Sequence, residues 1–310
     1  MLRLYPSRSS CFVPQSPVGD VCEADRGHYN ASQTLNSAFC TLHSAFREAR
    51  SILHLKIKRI LVRVLKRGGT AMAEKIVVAS GKGGVGKTTL TVAISKAMCL
   101  KGKKVLIIDC DCLRSVDLMV GTTEKTVYDW GDIAMGRCEA SQAVYGSDDP
   151  SLWTMAAPES YDNLGESSLK DIVSKIEEYF DYIFIDAPAG IGKGLTLACS
   201  AADRALVVST PDLVCVRSAC TAARKINSSG IEDVRLIINR LIRKDVRKGR
   251  TLNLDGVIDS VEVQLIGVVP EDAKIRMGSM GADVYKKGQA SYKAITNIAG
   301  RILGEYVPLS

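Results

Sequence analysis

The sequence has little of what marks several common classes of protein. It contains three histidines, and all of them precede residue 72, so the rest of the chain offers no histidine as a general base. No run of eighteen or more apolar residues occurs, so we expect no helix that crosses a membrane. None of the ten cysteines forms a C-x-x-C pair, which favours reduced thiols over a disulfide framework or a zinc site.

Charge is divided unequally along the chain. Residues 1–71 contain 11 Lys and Arg against 4 Asp and Glu, a net charge of +7. Residues 72–310 contain 30 of each kind, a net charge of zero. Proteins that bind nucleic acid usually present a basic surface, so the neutral later part of the chain argues against a nucleic-acid partner.

The basic N-terminal part has two interpretations. Residues 1–45 are rich in Ser, Pro, Gly and Asn without periodicity, which predicts disorder, and their start lacks the long apolar segment of a secretory signal. Residues 46–67 could form a basic amphipathic helix able to lie on an anionic membrane. Alternatively, residues 1–71 are a non-native upstream extension or a dispensable tail, because Met72 leads directly into the first predicted strand. Sequencing the natural N-terminus would distinguish the two.

From Met72 onward, apolar strand patterns alternate with helical ones. This alternation predicts one α/β domain over residues 72–310, a doubly wound and mostly parallel sheet with helices on both faces. The predicted strands are 75–79, 104–109, 152–157, 181–186, 204–211, 234–239 and 263–270, and the predicted helices include 90–100, 126–135, 139–144, 169–180 and 289–304. Residues 240–250 are predicted to form a basic loop.

A glycine-rich segment at residues 80–89 carries the strongest functional pattern. It reads S-G-K-G-G-V-G-K-T-T and contains G-x-x-x-x-G-K-[ST] between a predicted strand and a predicted helix. Glycines let backbone N–H groups turn inward around phosphate oxygens, and the following helix adds its N-terminal dipole. The pattern predicts a nucleoside triphosphate site, with the lysine reaching the β- and γ-phosphates and the threonine binding Mg²⁺. The expected contacts are Gly81, Lys82, Gly83, Gly84, Val85, Gly86, Lys87, Thr88 and Thr89, with Thr88 as the magnesium ligand.

A second pattern supports the same chemistry. The apolar segment 181–186 ends in Asp186, which is the Walker B arrangement that holds Mg²⁺ through its inner waters. The A-P-A-G sequence that follows is predicted to form a mobile turn near the terminal phosphate, able to sense triphosphate against diphosphate.

Several motifs together resemble the MinD/ParA family of deviant Walker A P-loop ATPases. They are K-G-G-V-G-K-T at 82–88, D-C-D-C-L-R-S-V-D at 109–117, D-A-P-A-G at 186–190 and V-P-E-D at 269–272. In this family the lysine that corresponds to Lys82 crosses a dimer interface to a phosphate in the facing subunit. From the residues alone, a solvated loop lysine is equally open.

The resemblance implies further site residues. Asp111 is the candidate for positioning the attacking water or Mg²⁺, although Asp109 and Asp111 could simply cap the end of their strand. Asn239 is expected to bind an adenine edge, although an asparagine that merely ends a strand is an open alternative. Pro270, Glu271 and Asp272 are expected to close over the adenine ring. Lys82, Lys87, Asp111 and Asp186 are the candidate catalytic residues, and Thr88, Asp111 and Asp186 the candidate metal ligands.

The function implied by the resemblance is an ATPase switch that dimerises on binding ATP and Mg²⁺. It would position the cell-division septum through ATP-gated binding to an anionic membrane surface and to division-regulator proteins of the MinC and MinE type. The expected location is the cytoplasm, with peripheral association at the inner face of the plasma membrane. Septum-placing members carry a C-terminal amphipathic membrane helix that we do not find after Gly304, so the means of attachment stays open. A flagellar-placement regulator and a DNA-partitioning ATPase of the ParA type are the alternatives.

Overall fold

The computed structural model describes residues 72–276 and 283–309. The predicted helix over 46–67, like the rest of residues 1–71, lies outside the described residues. In chain order the strands and helices are β1 (Glu74–Ser80), α1 (Lys87–Cys99), β2 (Val105–Asp109), α2 (Ser115–Val120), α3 (Trp130–Ala134), β3 (Tyr145–Gly146), β4 (Leu152–Met155), α4 (Ser168–Val173), β5 (Tyr182–Ala189), α5 (Lys193–Ser200), β6 (Arg204–Ser209), α6 (Leu213–Ser228), β7 (Asp233–Leu241), α7 (Arg243–Arg247), α8 (Leu254–Val261), β8 (Gln264–Pro270), α9 (Ala273–Arg276) and α10 (Tyr292–Ile302).

The eight strands form one sheet in the order β3-β4-β2-β5-β1-β6-β7-β8. Every pair is parallel except β3 with β4 at one edge. On β1, Ile76 and Val78 pack into a core cluster with α1 and α10, whereas Val77 and Ala79 are fully buried outside that cluster. Successive side chains of a strand point to opposite faces, so both faces of β1 are covered. The predicted α/β class is confirmed.

Some predicted elements have different bounds in the structure. The helix expected over 169–180 ends at Val173, and after a turn Glu177 lies buried with its carboxylate 2.7 Å from the Lys75 ammonium of β1. The helix expected over 126–135 starts only at Trp130, because Asp129 caps its first turn through a capping box with Asp132. Residues 139–144 form one short 3₁₀ turn at Ala140–Gln142. The predicted basic loop 240–250 contains α7.

The segment after Asp186 also differs from the prediction. The A-P-A sequence expected as a turn continues β5 to Ala189, which pairs with Ser80 at a register shift, and the N–H of Gly190 donates to the carbonyl of Ser80 at 3.0 Å. The chain turns at Gly190, whose φ of +93° lies in the region that glycine tolerates.

Parallel strands bring their carboxyl ends to one edge of the sheet. Asp109 at the end of β2 and Asp186 of β5 are direct register partners, and β5 lies beside β1, which leads into the glycine-rich segment. Asn239 of β7 and Pro270 of β8 lie near the carboxyl ends of their strands, at the same edge. Within 72–276 and 283–309, no helix combines the length and apolarity that a membrane crossing requires.

Candidate functional site

The glycine-rich segment forms a loop over residues 81–86 between β1 and α1. Gly84 and Gly86 have φ values of +80° and +94°, which L side chains rarely adopt. A Cβ on Gly81 would lie 1.9 Å from the carbonyl oxygen of Ser218, so this glycine is required by the close approach of α6. No side chain caps the start of α1, and its first turn carries no acidic residue. The free N–H groups at this end therefore suit a phosphate.

Asp186 lies directly beneath this loop and is fully buried. Its Oδ1 is 3.2 Å from Nζ of Lys87, and its Oδ2 accepts a hydrogen bond from the Thr88 hydroxyl at 2.5 Å. The hydroxyl of Thr91 also contacts Oδ1, at 3.0 Å. Lys87 is only 7% exposed, so both members of the ion pair are shielded from water. The carboxylate thus joins the lysine and threonine that the motif assigns to phosphate and magnesium.

A second buried carboxyl, Asp109, stands beside Asp186. It accepts hydrogen bonds from the N–H groups of Asp111 at 2.7 Å and Val116 at 3.1 Å. Burial, followed by the neighbouring charge of Asp186, raises the pKa of Asp109 to about 8. One negative charge is therefore favoured over two at this pair, and Lys87 balances it.

Asp111 lies on the loop 110–114, between β2 and α2. Its Oδ1 accepts from the N–H of Leu113 at 3.2 Å, and its carbonyl accepts from the N–H of Arg114 at 2.9 Å. Unlike Asp109 and Asp186, Asp111 is not buried, and it lines an open cavity beside the glycine-rich loop.

This cavity has a volume of about 460 Å³. Eleven lining residues were predicted from the sequence, and they are Gly83, Gly84, Gly86, Lys87, Thr88, Thr89, Asp111, Asn239, Pro270, Glu271 and Asp272. The structure thus brings together the predicted phosphate, metal and adenine contacts. Gly81, Lys82, Val85 and Asp186 do not line the cavity; Val85 is buried, and Asp186 connects to the cavity through Lys87 and Thr88.

Asn239 contacts the loop itself. Its side-chain amide donates to the carbonyl of Val85 at 2.8 Å, and its Oδ1 accepts from the N–H of Arg240 at 2.9 Å. A Cβ on Gly86 would lie 2.4 Å from the Asn239 amide nitrogen, so this glycine makes room for the contact. The asparagine holds the loop against β7, a role that the sequence did not suggest.

The turn 270–272 is fixed at both of its ends. The N–H of Glu271 donates to the carbonyl of Leu241 at 3.1 Å. Asp272 accepts from the N–H of Ser291 at 3.1 Å and from its hydroxyl at 2.9 Å. Burial alone would raise the pKa of Asp272, but these hydrogen bonds outweigh it and the pKa is lowered. The turn is therefore tied to α10 while it borders the cavity.

Lys82 is exposed and does not line the cavity. Its carbonyl accepts from the Ser80 hydroxyl at 3.0 Å, and its ammonium forms no ion pair within the described part of the chain. Asp212 lies close enough to be affected by its charge. Burial opposes the ionisation of Asp212, but hydrogen bonds from Thr210 and Cys215, aided by Lys82, lower its pKa.

Sequence reasoning missed two residues at this site. Thr91 was not selected, although it lies one helical turn after Lys87 on α1 and so faces Asp186. Asp109 was considered only as a strand cap, although its place at the end of a buried strand next to the Walker B strand was a usable signal.

A glycine-rich loop between a buried strand and a helix, with a buried lysine–aspartate pair beneath it, defines a P-loop nucleoside triphosphatase. A sequence model for a family described as "AAA domain" matches residues 73–229. The septum site-determining protein MinD of Bacillus subtilis is 36% identical over 247 residues, which are 77% of this chain and 92% of that protein.

Solved structures give the same result. The MinC:MinD cell division protein complex of Aquifex aeolicus matches with a TM-score of 0.70 at 34% identity, covering 77% of this chain and 99% of that one. MinD of Pyrococcus horikoshii, complexed with Mg-ADP, matches with a TM-score of 0.67 at 25% identity, covering 74% and 96%. The chain belongs to the MinD family of P-loop ATPases.

Proposed function

We propose that this ATPase is a septum-placing switch whose subunits pair across two bound ATP molecules. The observation that carries the proposal is the position of Lys82. It is exposed on the phosphate loop, outside the cavity lining and without an ion pair in the described residues, so its charge is available to a facing subunit. An arginine finger supplied in trans acts on the same principle.

Each subunit supplies the rest of the site. The N–H groups of loop 81–86 and the start of α1 bind the phosphates, and Lys87 leaves Asp186 to contact them. Thr88 and Asp186 would hold Mg²⁺, and Asp111 would orient the attacking water at the open cavity. When bound, Mg²⁺ neutralises charge on the phosphate oxygens. The Mg-ADP complex of the Pyrococcus relative supports ATP and Mg²⁺ as the ligands.

The cellular role follows from family membership. Relatives that match over most of this chain are septum site-determining proteins, and one solved relative is in complex with MinC. They favour septum placement with a MinC-type partner over the flagellar-placement and DNA-partitioning alternatives.

Two aspects extend this proposal. We place the protein in the cytoplasm with reversible binding to an anionic membrane, to which the basic pattern of residues 46–67 is suited. The division of the chain into an N-terminal extension, residues 1–71, and an ATPase domain, residues 72–310, stays a prediction. Co-sedimentation with anionic vesicles, with ATP and with ADP, on the full chain and on a chain starting at Met72, would test both.

The substitution Lys82→Ala tests the pairing directly. We expect the variant to bind ATP with an affinity within about threefold of the unchanged protein, since Lys87 and the loop N–H groups remain. It should stay monomeric with ATP in sedimentation experiments, whereas the unchanged protein pairs. Lys170→Ala, which removes an exposed lysine on α4, is the control and should pair normally. A Lys82→Ala variant that dimerises with ATP as the unchanged protein does would refute the role in trans.

A further inference from the structure

Two aromatic side chains donate hydrogen bonds to the main chain at the start of the loop 110–114, which carries Asp111. The indole Nε1 of Trp130 donates to the carbonyl of Asp109 at 2.9 Å, and the hydroxyl of Tyr161 donates to the carbonyl of the next residue, Cys110. The two rings stack with centroids 6.0 Å apart and planes 28° apart. Trp130 is fully buried, so it provides a fixed support for the half-buried Tyr161. Since these carbonyls immediately precede Asp111, their orientation sets the direction from which its carboxylate enters the cavity.

Tyr161 also contacts the segment that follows Asp186. Its carbonyl accepts from the Lys193 ammonium at 2.7 Å, at the first residue of α5. A Cβ on Gly194 would lie 2.4 Å from Cγ of Pro188 and 3.1 Å from Cε2 of Tyr161, so the start of α5 packs tightly against both. A single residue therefore touches the loop that carries Asp111 and the helix that follows the Asp186 strand.

The loop 110–114 has a further constraint at its other end. Arg114 has a φ of +52°, which is unfavourable for a side chain of its type. Its guanidinium donates to the carbonyl of Ala157 at 2.7 Å and to Asp129 at 2.5 Å. Asp129 caps the helix that begins with Trp130. A loop with a strained residue keeps its shape only while such contacts hold it, so loss of one contact should alter its conformation.

We propose that Tyr161 is a positioning residue for ATP hydrolysis, which links the loop bearing Asp111 to the start of the helix after Asp186. The inference rests on the proposed role of Asp111 in orienting water. A movement between Ala187 and Lys193 shifts Tyr161, and its hydroxyl shifts the carbonyl of Cys110 and with it Asp111. A tyrosine hydroxyl is already protonated at neutral pH and able to donate, and burial raises the pKa of Tyr161 further.

Tyr161→Phe tests the link because it deletes the hydroxyl and keeps the stacked ring. One hydrogen bond to the loop corresponds to a roughly threefold to tenfold fall in kcat for single-turnover ATP hydrolysis. The affinity for ATP should change less than twofold, because no phosphate contact is lost. Tyr285→Phe is the matched control. The Tyr285 ring also stacks on an aromatic ring, with its centroid 4.6 Å from that of Tyr292, and its hydroxyl shares a hydrogen bond with the Thr296 hydroxyl. Tyr285 does not line the cavity. The kcat of this variant should be unchanged.

A spectroscopic measurement separates positioning from a general loss of stability. With Trp153→Phe leaving Trp130 as the sole tryptophan of the chain, Trp130 emission should differ between the ATP and ADP states. Tyr161→Phe should reduce that difference by about half or more, because the hydroxyl no longer couples Tyr161 to the Cys110 carbonyl, next to the Asp109 carbonyl that Trp130 contacts. Full retention of kcat in Tyr161→Phe, or a fall no larger than in Tyr285→Phe, would overturn the inference. Unchanged hydrolysis in Asp111→Asn would instead overturn the proposed role of Asp111.

Discussion

The buried ion pair between Lys87 and Asp186 can be probed by Asp186→Asn, which keeps the shape of the side chain and removes its charge. Asp186 is fully buried, and its carboxylate accepts hydrogen bonds from the Lys87 ammonium at 3.2 Å and from the hydroxyls of Thr88 at 2.5 Å and Thr91 at 3.0 Å. Removing one partner of such a pair leaves an uncompensated buried charge, which costs about 3–5 kcal/mol of unfolding free energy.

The neighbouring Asp109 decides where in that range the loss falls. Its pKa is raised to about 8 by burial and then by the charge of Asp186. Without the Asp186 charge, Asp109 ionises more readily and attracts Lys87 in its place. We therefore expect Asp186→Asn to cost about 3 kcal/mol at pH 7 without nucleotide. In an Asp109→Asn background the substitute charge is missing, so the same change should cost closer to 5 kcal/mol.

Urea unfolding followed by circular dichroism measures both quantities. Asp203→Asn is the control, because Asp203 is 51% exposed and its contact with Lys75 at 3.2 Å should contribute less than about 1 kcal/mol. The reasoning fails if Asp186→Asn costs less than the control. It also fails if the cost is equal or smaller in the Asp109→Asn background, since Asp109 would then not act as a substitute partner.

Two further substitutions test the phosphate loop. Gly81→Ala should lower the unfolding free energy by about 1–3 kcal/mol in the same urea assay, because its Cβ would lie 1.9 Å from the Ser218 carbonyl oxygen. Gly83→Ala, whose Cβ would meet no atom closer than 3.8 Å, is its control, and equal losses would contradict the argument. Asn239→Ala should weaken ATP binding more than GTP binding in calorimetric titration, since the amide retains an N–H and a lone pair for adenine after bonding Val85 and Arg240. An equal fall in affinity for both nucleotides would mean that Asn239 acts only through its contact with the loop and does not bind adenine.

The parts of the fold that could be predicted are those fixed by local chemistry. The loop 81–86 needs glycines for its backbone and a lysine and threonine at its end, so the residue types reveal it. The central strands are continuous apolar segments because helices cover both faces of the sheet. Helix ends were predicted less well. Apolar spacing at 169–180 predicts one helix, but the chain turns after Val173 and buries Glu177 against Lys75, a partner 102 residues away.

The same distinction explains which candidate site residues the sequence predicts. Lys87, Thr88 and Asp186 are predicted from side chains whose chemistry is specific to a residue type and a spacing. Trp130 and Tyr161 act on main-chain carbonyls. Gly81 was predicted as part of the loop, but the close approach of the Ser218 carbonyl that also requires a glycine there was not.

Every residue has a carbonyl, so the sequence at Asp109, Cys110 or Ser218 gives no sign that a partner approaches. In the sequence the two aromatic side chains look like ordinary core residues, and Trp130 is fully buried. Only the folded chain shows that the Tyr161 hydroxyl points at the loop bearing Asp111 while its carbonyl holds Lys193. Residues that contact a loop through its backbone are therefore found in the structure, even where the candidate nucleotide contacts can be predicted from the sequence.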